Sequence, residues 1–283
     1  MKKYISHPEY TFDPNQLPDT EDAVILIDKP AGISSFGVVA KVRGALKLKF
    51  GHKVKVGHTG TLDPFATGLL ILLSGKMTKK SSEFLKLDKT YEATLRLGYT
   101  STTGDPEGEI TEFVAPETHL SRSINADGAF TERPSPVTTE QRSEREPSLL
   151  GSPSKAVPSR NETGARERSE IDVSLVLSNF IGTIPQTVPK FSAVKINGER
   201  AYRLARKGKD FETPTRKVTI YEIDLLNYEY PELKIKVHCS SGTYIRTLAE
   251  DIGKALGTGA YLTALRRTEI GTFSIKDAII NLC

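Results

Sequence analysis

The segment from Gly57 to Gly68 reads Gly-His-Thr-Gly-Thr-Leu-Asp-Pro-Phe-Ala-Thr-Gly and holds the densest group of chemically capable and turn-forming residues in the chain. Its three glycines let the backbone approach a ligand closely. The side chains that could act as acid, base or nucleophile are His58 and Asp63. The Gly-Lys-Ser/Thr ending of a phosphate-binding P-loop is missing. The segment therefore predicts a turn that presents a carboxylate and an imidazole to a ligand.

Both side chains also have purely structural explanations. Asp63 is followed by Pro64, and this pair is typical of a helix start, with aspartate as the N-cap and proline at the first helical position. For His58 the ordinary explanation is a structural histidine whose ring nitrogens are hydrogen-bonded by the surrounding protein. Local sequence alone leaves these alternatives open.

The elements that must position this segment follow from the hydrophobic pattern. Ala23 to Asp28 is a short β-branched apolar run that predicts a strand, and a turn follows it. Ser34 or Ser35 can cap a helix, because apolar residues then recur at helical spacing. These apolar residues are Val38, Val39, Val42 and Leu46.

Further strands and one more helix are expected along the chain. Gly68 to Leu73 is apolar throughout, whereas Thr90 to Gly98 and Leu233 to Cys239 alternate as half-buried strands do. The stretch from Arg246 to Leu256 carries one apolar helical face. Strands mixed with helices, without a steady βαβ rhythm, predict an α+β fold with a mixed, largely antiparallel sheet flanked by helices and loops.

Composition limits the class of protein. The 283 residues contain 39 Lys and Arg and 35 Asp and Glu, so the net charge of +4 is too small to argue for a polyanionic partner. The two cysteines, Cys239 and Cys283, argue against a disulfide framework and a thiolate metal site. No run approaches the roughly 20 apolar residues that span a bilayer, and the N-terminus lacks an apolar secretory segment. We expect a cytoplasmic protein with no membrane contact.

One stretch does not read as part of a core. Between Ser121 and Glu170 only six large apolar residues occur, and eight basic residues are balanced by eight acidic ones. Six apolar side chains cannot offset an ordering cost of about 1–2 kcal/mol per residue. We predict a disordered insertion at 115–171, an N-terminal extension at 1–20, and a single domain made of 21–114 and 172–283.

The net positive charge therefore belongs to the remainder of the chain, where basic residues form three clusters. Such clusters are often solvated faces, but three of them favour a polyanionic partner. The clusters fall at 41–55 (Lys41, Arg43, Lys47, Lys49, Lys53, Lys55), at 76–89 (Lys76, Lys79, Lys80, Lys86, Lys89) and at 200–209 (Arg200, Arg203, Arg206, Lys207, Lys209).

The glycine-rich segment resembles the aspartate motif of the TruB family of tRNA pseudouridine synthases. Asp28 to Ser35 resembles the first motif of that family, Lys89 to Ala93 the tyrosine motif, and Ser241 to Ala249 the arginine motif. Lys190 to Lys195 and Leu265 to Thr268 also look like family blocks. Several motifs in order are far more specific than one, and they run from Asp28 to Thr272 with one interruption.

The resemblance implies a pseudouridine synthase fold and the isomerisation of the uridine at position 55, in the T-loop of tRNA. Asp63 would attack at C1′ or assist a glycal route, and Tyr91 would lie against the flipped base and take its C5 proton. Arg246 would pair with Asp63 and keep it charged. A half-buried sheet tyrosine and a surface ion pair are the ordinary explanations for Tyr91 and Arg246.

The resemblance also implies residues that bind the substrate. His58 would fill the space that the base vacates, and Tyr244 and Leu265 would line the uracil pocket, although Leu265 could equally be a core residue. Lys29 and the loop residue Asp105 complete this set.

The resemblance also bears on cofactors, partners and competing functions. We expect no metal, no cofactor, tRNA as the partner through its T-arm, and a monomer. The chain stops at Cys283, so we expect no C-terminal RNA-binding domain of the PUA type. Competing functions are a guide-RNA-directed synthase of the dyskerin kind and a non-catalytic protein that binds or folds RNA; the latter would be favoured by loss of Asp63, Tyr91 or Arg246.

Overall fold

The computed structural model describes residues 16–114, 170–278 and 280–281. The contacts divide the chain into two compact units, 1–113 with 165–283, and 114–164; of the second unit only Val114 is described. The predicted insertion thus lies outside the described residues, apart from its last two positions, which begin a helix at Glu170. Leu17, within the predicted N-terminal extension, is buried in the core around the first helix.

The helices and strands alternate irregularly along the chain. The α-helices are α1 (Ser35–Phe50), α2 (Ser81–Leu85), α3 (Glu170–Ser178), α4 (Ala201–Arg206) and α5 (Ile245–Leu256). The strands are β1 (Val24–Lys29), β2 (Val56–His58), β3 (Thr67–Ser74), β4 (Lys89–Leu97), β5 (Tyr99–Ser101), β6 (Ile110–Glu112), β7 (Gly182–Thr187), β8 (Lys195–Ile196), β9 (Glu199–Arg200), β10 (Thr215–Glu229), β11 (Glu232–Cys239), β12 (Ala260–Ile270), β13 (Phe273–Ser274) and β14 (Ile280–Asn281).

Ten of these strands form one sheet in the described part of the chain. Its order is β14-β1-β3-β12-β4-β11-β10-β7, with β2 added to β3 and β13 to β12. The pairs β1–β14 and β3–β12 are parallel, and the other pairs are antiparallel. The predicted α+β fold with a mixed, largely antiparallel sheet is confirmed.

Strand β3 is the centre of the N-terminal half of the sheet, and both of its faces are buried. Leu70 and Leu72 pack with β1 against α1, while Leu69, Ile71 and Leu73 pack on the opposite face. A strand that is covered on both sides has no polar face, which is why this run does not alternate.

Helix α1 begins as its sequence predicts. Ser34 is the N-cap, and its Oγ accepts a hydrogen bond from the backbone N–H of Gly37 at 3.0 Å. Val38, Val39, Val42 and Leu46 are all buried beneath the helix. In the described residues, no helix has the length and hydrophobicity needed to cross a membrane.

Candidate active site

Asp63 lies in the loop that connects β2 to β3. Only turns and extended backbone follow it, so the alternative in which Asp63 caps a helix is wrong. The loop is held by the start of α1: Ser35 Oγ donates to the carbonyl of Leu62 at 2.9 Å and accepts from its N–H at 2.8 Å. The N–H of Gly32 donates to the carbonyl of Pro64 at 2.8 Å. Backbone on both sides of Asp63 is therefore fixed by the segment that follows β1.

Lys29, at the end of β1, supports the same loop through hydrogen bonds from its side chain. Its side chain is fully buried, and its Nζ donates to the carbonyls of Pro30 and Ile33 at 2.8 Å and of Pro64 at 3.3 Å. Burial is the main reason that the pKa of Lys29 is lowered to about 8. We expected this lysine to bind substrate, but here the ammonium group is occupied by carbonyls of the chain itself.

Arg246, in the first turn of α5, meets Asp63 as expected. Its Nε lies 3.1 Å from Oδ2 of Asp63, while Nη1 contacts Oδ2 of Asp105 at 3.2 Å. Nη1 also donates to the carbonyl of Thr103, and Nη2 donates to the carbonyl of Phe191. Arg246 is 6% exposed, which excludes the surface ion pair considered as its ordinary explanation. The guanidinium is held in place by partners other than Asp63.

The second carboxylate in this network is built into the loop between β5 and β6. Oδ1 of Asp105 accepts from the hydroxyl of Thr103 at 2.6 Å and from the N–H of Glu107 at 3.0 Å. Gly104 has φ +73°, and a Cβ at this position would collide with Glu250 and crowd Arg246. The left-handed backbone of residue 104 therefore favours glycine where the loop packs against α5.

Asp63 keeps an accessible carboxylate in this network. A third of its side chain is exposed, in contrast to the almost fully buried Asp105. Burial raises the pKa of Asp63, and the charge of Asp105 raises it further, whereas Arg246 and Lys29 oppose this rise. Arg246 thus favours the ionised form, but it does not cancel the effect of burial.

Tyr91 and Leu265 lie in the same core cluster as Leu62 and Ala66, which flank Asp63 in sequence. Each is 8% exposed. Burial raises the pKa of the Tyr91 phenol. The core alternative for Leu265 fits its burial, and its position in the cluster also puts it beside Tyr91.

Tyr244 and His58 lie at the ends of other elements. Tyr244 is the N-cap of α5, and the side chain of Gln186 bonds to its N–H and to its carbonyl at 2.7 and 3.0 Å. His58 ends β2, and its Nδ1 is buried without a hydrogen-bond partner in the described residues. Burial, followed by the charge of Arg267, lowers the pKa of His58. A neutral imidazole with an unused acceptor or donor therefore sits beside the loop.

Two residues of the site were missed by the sequence analysis. Burial is the main cause that raises the pKa of the Glu107 carboxyl, and the charges of Asp105 and Asp63 raise it further. The charges of Arg246 and Arg206 oppose this rise. Arg267 is 1% exposed and donates to the carbonyl of Gly60 at 3.1 Å. Strand alternation could have indicated Arg267, because it lies two residues after Leu265 and shares its face.

The third basic cluster is next to Arg246. Strands β8 and β9 form a hairpin whose turn, Asn197 and Gly198, has the positive φ angles that this tight connection requires. Helix α4 follows, and the N–H of Tyr202 donates to the carbonyl of Ser192, next to the Phe191 that binds Arg246. Arg206, in the last turn of this helix, is near enough to Glu107 for its charge to oppose the rise in the pKa of Glu107.

The first and second clusters meet at Lys55. The N–H of Gly75, which starts a 3₁₀ helix at Gly75–Lys80, donates to the carbonyl of Lys55 at 2.8 Å. We call the exposed side chains of Lys53, Lys55, Lys79 and Lys80 the lysine surface. In contrast, Lys49 pairs with Asp19, and Lys89 is buried against backbone carbonyls.

Among the described residues, no group of three or more His, Cys, Asp or Glu side chains could hold a metal ion.

Comparison with known proteins identifies related chains. Residues 46–132 and 154–245 match the model of the TruB family pseudouridylate synthase N-terminal domain, and residues 246–282 match the tRNA pseudouridylate synthase B C-terminal domain. In the described structure, the second match covers most of α5 and the neighbouring strand β12 of the central sheet.

Curated relatives agree with this match. The chain is 40% identical over 260 residues to tRNA pseudouridine synthase B of Phocaeicola vulgatus, covering 92% of this chain and 90% of that protein. It is 39% identical over 284 residues to tRNA pseudouridine synthase B of Bifidobacterium longum (strain DJO10A), covering 92% of this chain. The chain spans only about two thirds, 66%, of the length of the latter.

Solved structures share the fold. A Cbf5–Nop10–Gar1 complex matches with a TM-score of 0.56 and 25% identity, covering 96% of this chain and 57% of that chain. An H/ACA RNP bound to a substrate RNA containing 2′-deoxyuridine matches with a TM-score of 0.54 and 23% identity, covering 96% of this chain and 56% of that chain.

Proposed function

The chain belongs to the TruB family of pseudouridylate synthases, and we propose that it isomerises the uridine at position 55, in the T-loop of tRNA, to pseudouridine. The observation that carries this proposal is the partly exposed carboxylate of Asp63 beside the buried, fixed guanidinium of Arg246. A loop carboxylate that remains accessible, beside a fixed cation that favours its ionised form, is suited to attack an electrophilic carbon and to leave again.

The chemistry divides between two groups. Asp63 attacks C1′ of the ribose or assists formation of a glycal, and the C1′–N1 bond breaks with its electron pair remaining on uracil. The uracil then rotates, and C5 bonds to C1′ while the bond from C1′ to the Asp63 oxygen breaks and releases the carboxylate. In the glycal route Asp63 first removes the C2′ proton and returns it as C5 bonds to C1′. The C5 proton leaves to Tyr91, which accepts it as the phenolate, the bonding electrons return to the ring, and N1 takes up a proton. Arg246 keeps Asp63 oriented throughout, because a guanidinium stays protonated and its other partners hold it still.

The remaining roles concern the base and its pocket. We assign Tyr244 and Leu265 to the walls that hold uracil and His58 to the space that the base vacates. Asp105 positions Arg246, and Lys29 supports the loop that carries Asp63. No metal or organic cofactor enters this scheme, since each step moves electrons within the substrate and between substrate and side chains.

Access to the base requires RNA deformation, which the basic surfaces are placed to support. Flipping a nucleotide out of a stacked arm costs a few kcal/mol. Lysines that bind phosphates on both sides of the site can offset that cost. The charge of Arg206 on α4 reaches Glu107, and the lysine surface lies at the opposite end of β3 from the Asp63 loop. We propose that these two surfaces hold the T-arm across the site, with the protein acting as a cytoplasmic monomer.

The guide-RNA-directed alternative has support from fold alone. The solved complexes that resemble the chain include one bound to a substrate RNA, but at 23% identity. The relatives named tRNA pseudouridine synthase B are 38–40% identical over 91–92% of the chain. The higher identity favours tRNA that is recognised directly.

The test is to map pseudouridine in unmodified tRNA treated with the purified protein and no other RNA. We expect pseudouridine at the T-loop uridine, and a transcript with cytidine at that position is the matched control. Activity that appeared only after addition of a guide RNA would favour the dyskerin-like alternative. Tight tRNA binding with no pseudouridine at any position would favour a non-catalytic binding protein.

A further inference from the structure

Arg267 on β12 joins three elements below the site. Its Nε donates to the carbonyl of Leu69 on β3 at 2.8 Å, and its Nη2 donates to Gly60 in the catalytic loop at 3.1 Å. On its other side it lies opposite Tyr91 of β4 in the antiparallel strand register, so the two side chains share one face of the sheet. One side chain therefore ties the loop of Asp63 to the tyrosine that faces the base.

The close approach of β3 to Arg267 is built into the sequence. Gly68 pairs with Arg267 in the parallel register and has φ +102°. A Cβ at position 68 would overlap the backbone of Arg267. The absence of a side chain at position 68 thus lets the two strands pack closely where the guanidinium crosses between them.

An arginine at position 267 would lower the stability of the fold if its role were purely structural. None of the ion pairs among the described residues includes it, although it is 1% exposed. Its neighbours are basic groups: its charge contributes to lowering the pKa values of Lys29, His58 and Lys89. Burying an unpaired cation beside other bases costs free energy that an apolar side chain would avoid. A role in the reaction would explain this arrangement.

The chemistry of the guanidinium suggests that role. It has donors and no acceptor, so we infer that the guanidinium donates a hydrogen bond to the oxygen of Tyr91, which lies opposite it. This contact fixes the phenol oxygen in space and favours negative charge on it. Burial raises the pKa of Tyr91, and the charge and hydrogen bond of Arg267 act against that rise.

We propose that Arg267 is a positioning residue that fixes the Tyr91 hydroxyl relative to the Asp63 loop and prepares it to receive the C5 proton. The contribution to turnover rests on the proposed function. The pairing of Arg267 with Tyr91 does not, and it can be measured without substrate.

The experiment follows the ring of Tyr91 by NMR in protein labelled with ¹³C at tyrosine Cζ, and Tyr91→Phe identifies the resonance. In Arg267→Gln, we expect the ¹³Cζ resonance of Tyr91 to shift and its titration to move to higher pH than in the wild type, since a charge-assisted hydrogen bond is removed. Arg267→Lys restores part of the difference. Arg96→Gln, on the exposed face of β4, is the control and leaves Tyr91 unchanged.

Kinetics supply the second measurement. Arg267→Lys should lower kcat by about 10-fold to 100-fold with KM for tRNA within a few-fold. In a Tyr91→Phe background the same change should cost much less, because the two residues act as a unit. This cycle keeps the proposal testable if Arg267→Gln fails to fold.

The outcomes separate the two claims. An unchanged Tyr91 titration in folded Arg267→Gln, or fully additive effects in the cycle, would overturn the positioning role. A wild-type protein that forms no pseudouridine, but whose Tyr91 titration still depends on Arg267, would overturn the proposed function and leave the pairing intact.

Discussion

The Nε of Arg246 lies 3.1 Å from Oδ2 of Asp63, and the guanidinium also binds Asp105 and two backbone carbonyls. The cation is thus in place before substrate arrives. Asp63, in contrast, sits on a loop and keeps a third of its side chain exposed. We propose that the rigid partner orients and that the accessible partner reacts.

The first prediction concerns the shape of this cation. Arg246→Lys should lower kcat by about 100-fold or more, because an ammonium group cannot contact two carboxylates and two carbonyls in one plane. Single-turnover assays with tRNA measure the effect, with Arg216→Lys on the exposed part of β10 as the control. Near-normal turnover would show that the pairing is not needed.

The second prediction concerns pH. Asp63 must be ionised to react, and its pKa is raised, so activity should fall as pH drops through a value above that of an ordinary aspartate. Because the charge of Asp105 contributes to this rise, Asp105→Asn should move the acid limb of kcat/KM to lower pH while reducing the maximum. Glu112→Gln, a neutralised carboxylate on exposed β6, should leave the limb in place. A shift of the limb to higher pH in Asp105→Asn would contradict the electrostatic scheme.

Much of this site could be predicted from the sequence, because short local motifs mark its main residues. The Asp63 segment, Tyr91 and Arg246 carry recognisable motifs, and cap and alternation rules place α1 and β4. The contacts of Arg246 with Thr103 and Phe191, in contrast, use backbone carbonyls, which every residue has. Sequence cannot select these partners, since tertiary packing decides which carbonyls face the guanidinium.

The helix predicted by Asp63 and Pro64 shows the same limit. The pair is a good cap, but the apolar run that follows is a strand buried on both faces, and it begins at Thr67. Too few residues remain between Pro64 and β3 for a helix. Burial of β3 therefore overrides the local signal.

The third prediction tests the support that Lys29 gives to the loop. Lys29→Met should lower the free energy of unfolding by about 1–3 kcal/mol, because three carbonyls lose their donor. In the wild type the folded-state pKa of about 8 lies below the ordinary lysine value of 10.5, so the unfolded chain holds more protons between these values. Stability should then rise with pH across that window.

The measurement is chemical denaturation at several pH values. The increase in the free energy of unfolding with pH should be smaller in Lys29→Met than in the wild type. Lys89, whose pKa is also about 8, still contributes to this increase. Lys234→Met on exposed β11 is the control. An unchanged pH dependence in Lys29→Met would mean that the pKa of Lys29 is not lowered in the folded protein.

The fourth prediction concerns the lysine surface. Lys55→Glu combined with Lys79→Glu should raise KM for tRNA with little effect on kcat at saturation, if these residues bind phosphates, as we propose, and do not reach the base. The slope of log affinity against log salt should fall by about 0.9 for each duplex phosphate that the variant no longer binds. Lys234→Glu on β11, which is separated from β3 by β12 and β4, controls for charge alone. An unchanged salt slope would place the RNA elsewhere.

The most direct test of the catalytic role of Asp63 is single-turnover pseudouridine formation by Asp63→Asn, with tRNA affinity measured on the same preparation. A carboxamide cannot act as the nucleophile, yet the substitution leaves the phosphate-binding lysines in place. We predict no pseudouridine at the T-loop uridine and a tRNA dissociation constant within a few-fold of the wild type. Pseudouridine formation by Asp63→Asn at a rate near that of the wild type would contradict the central role of Asp63.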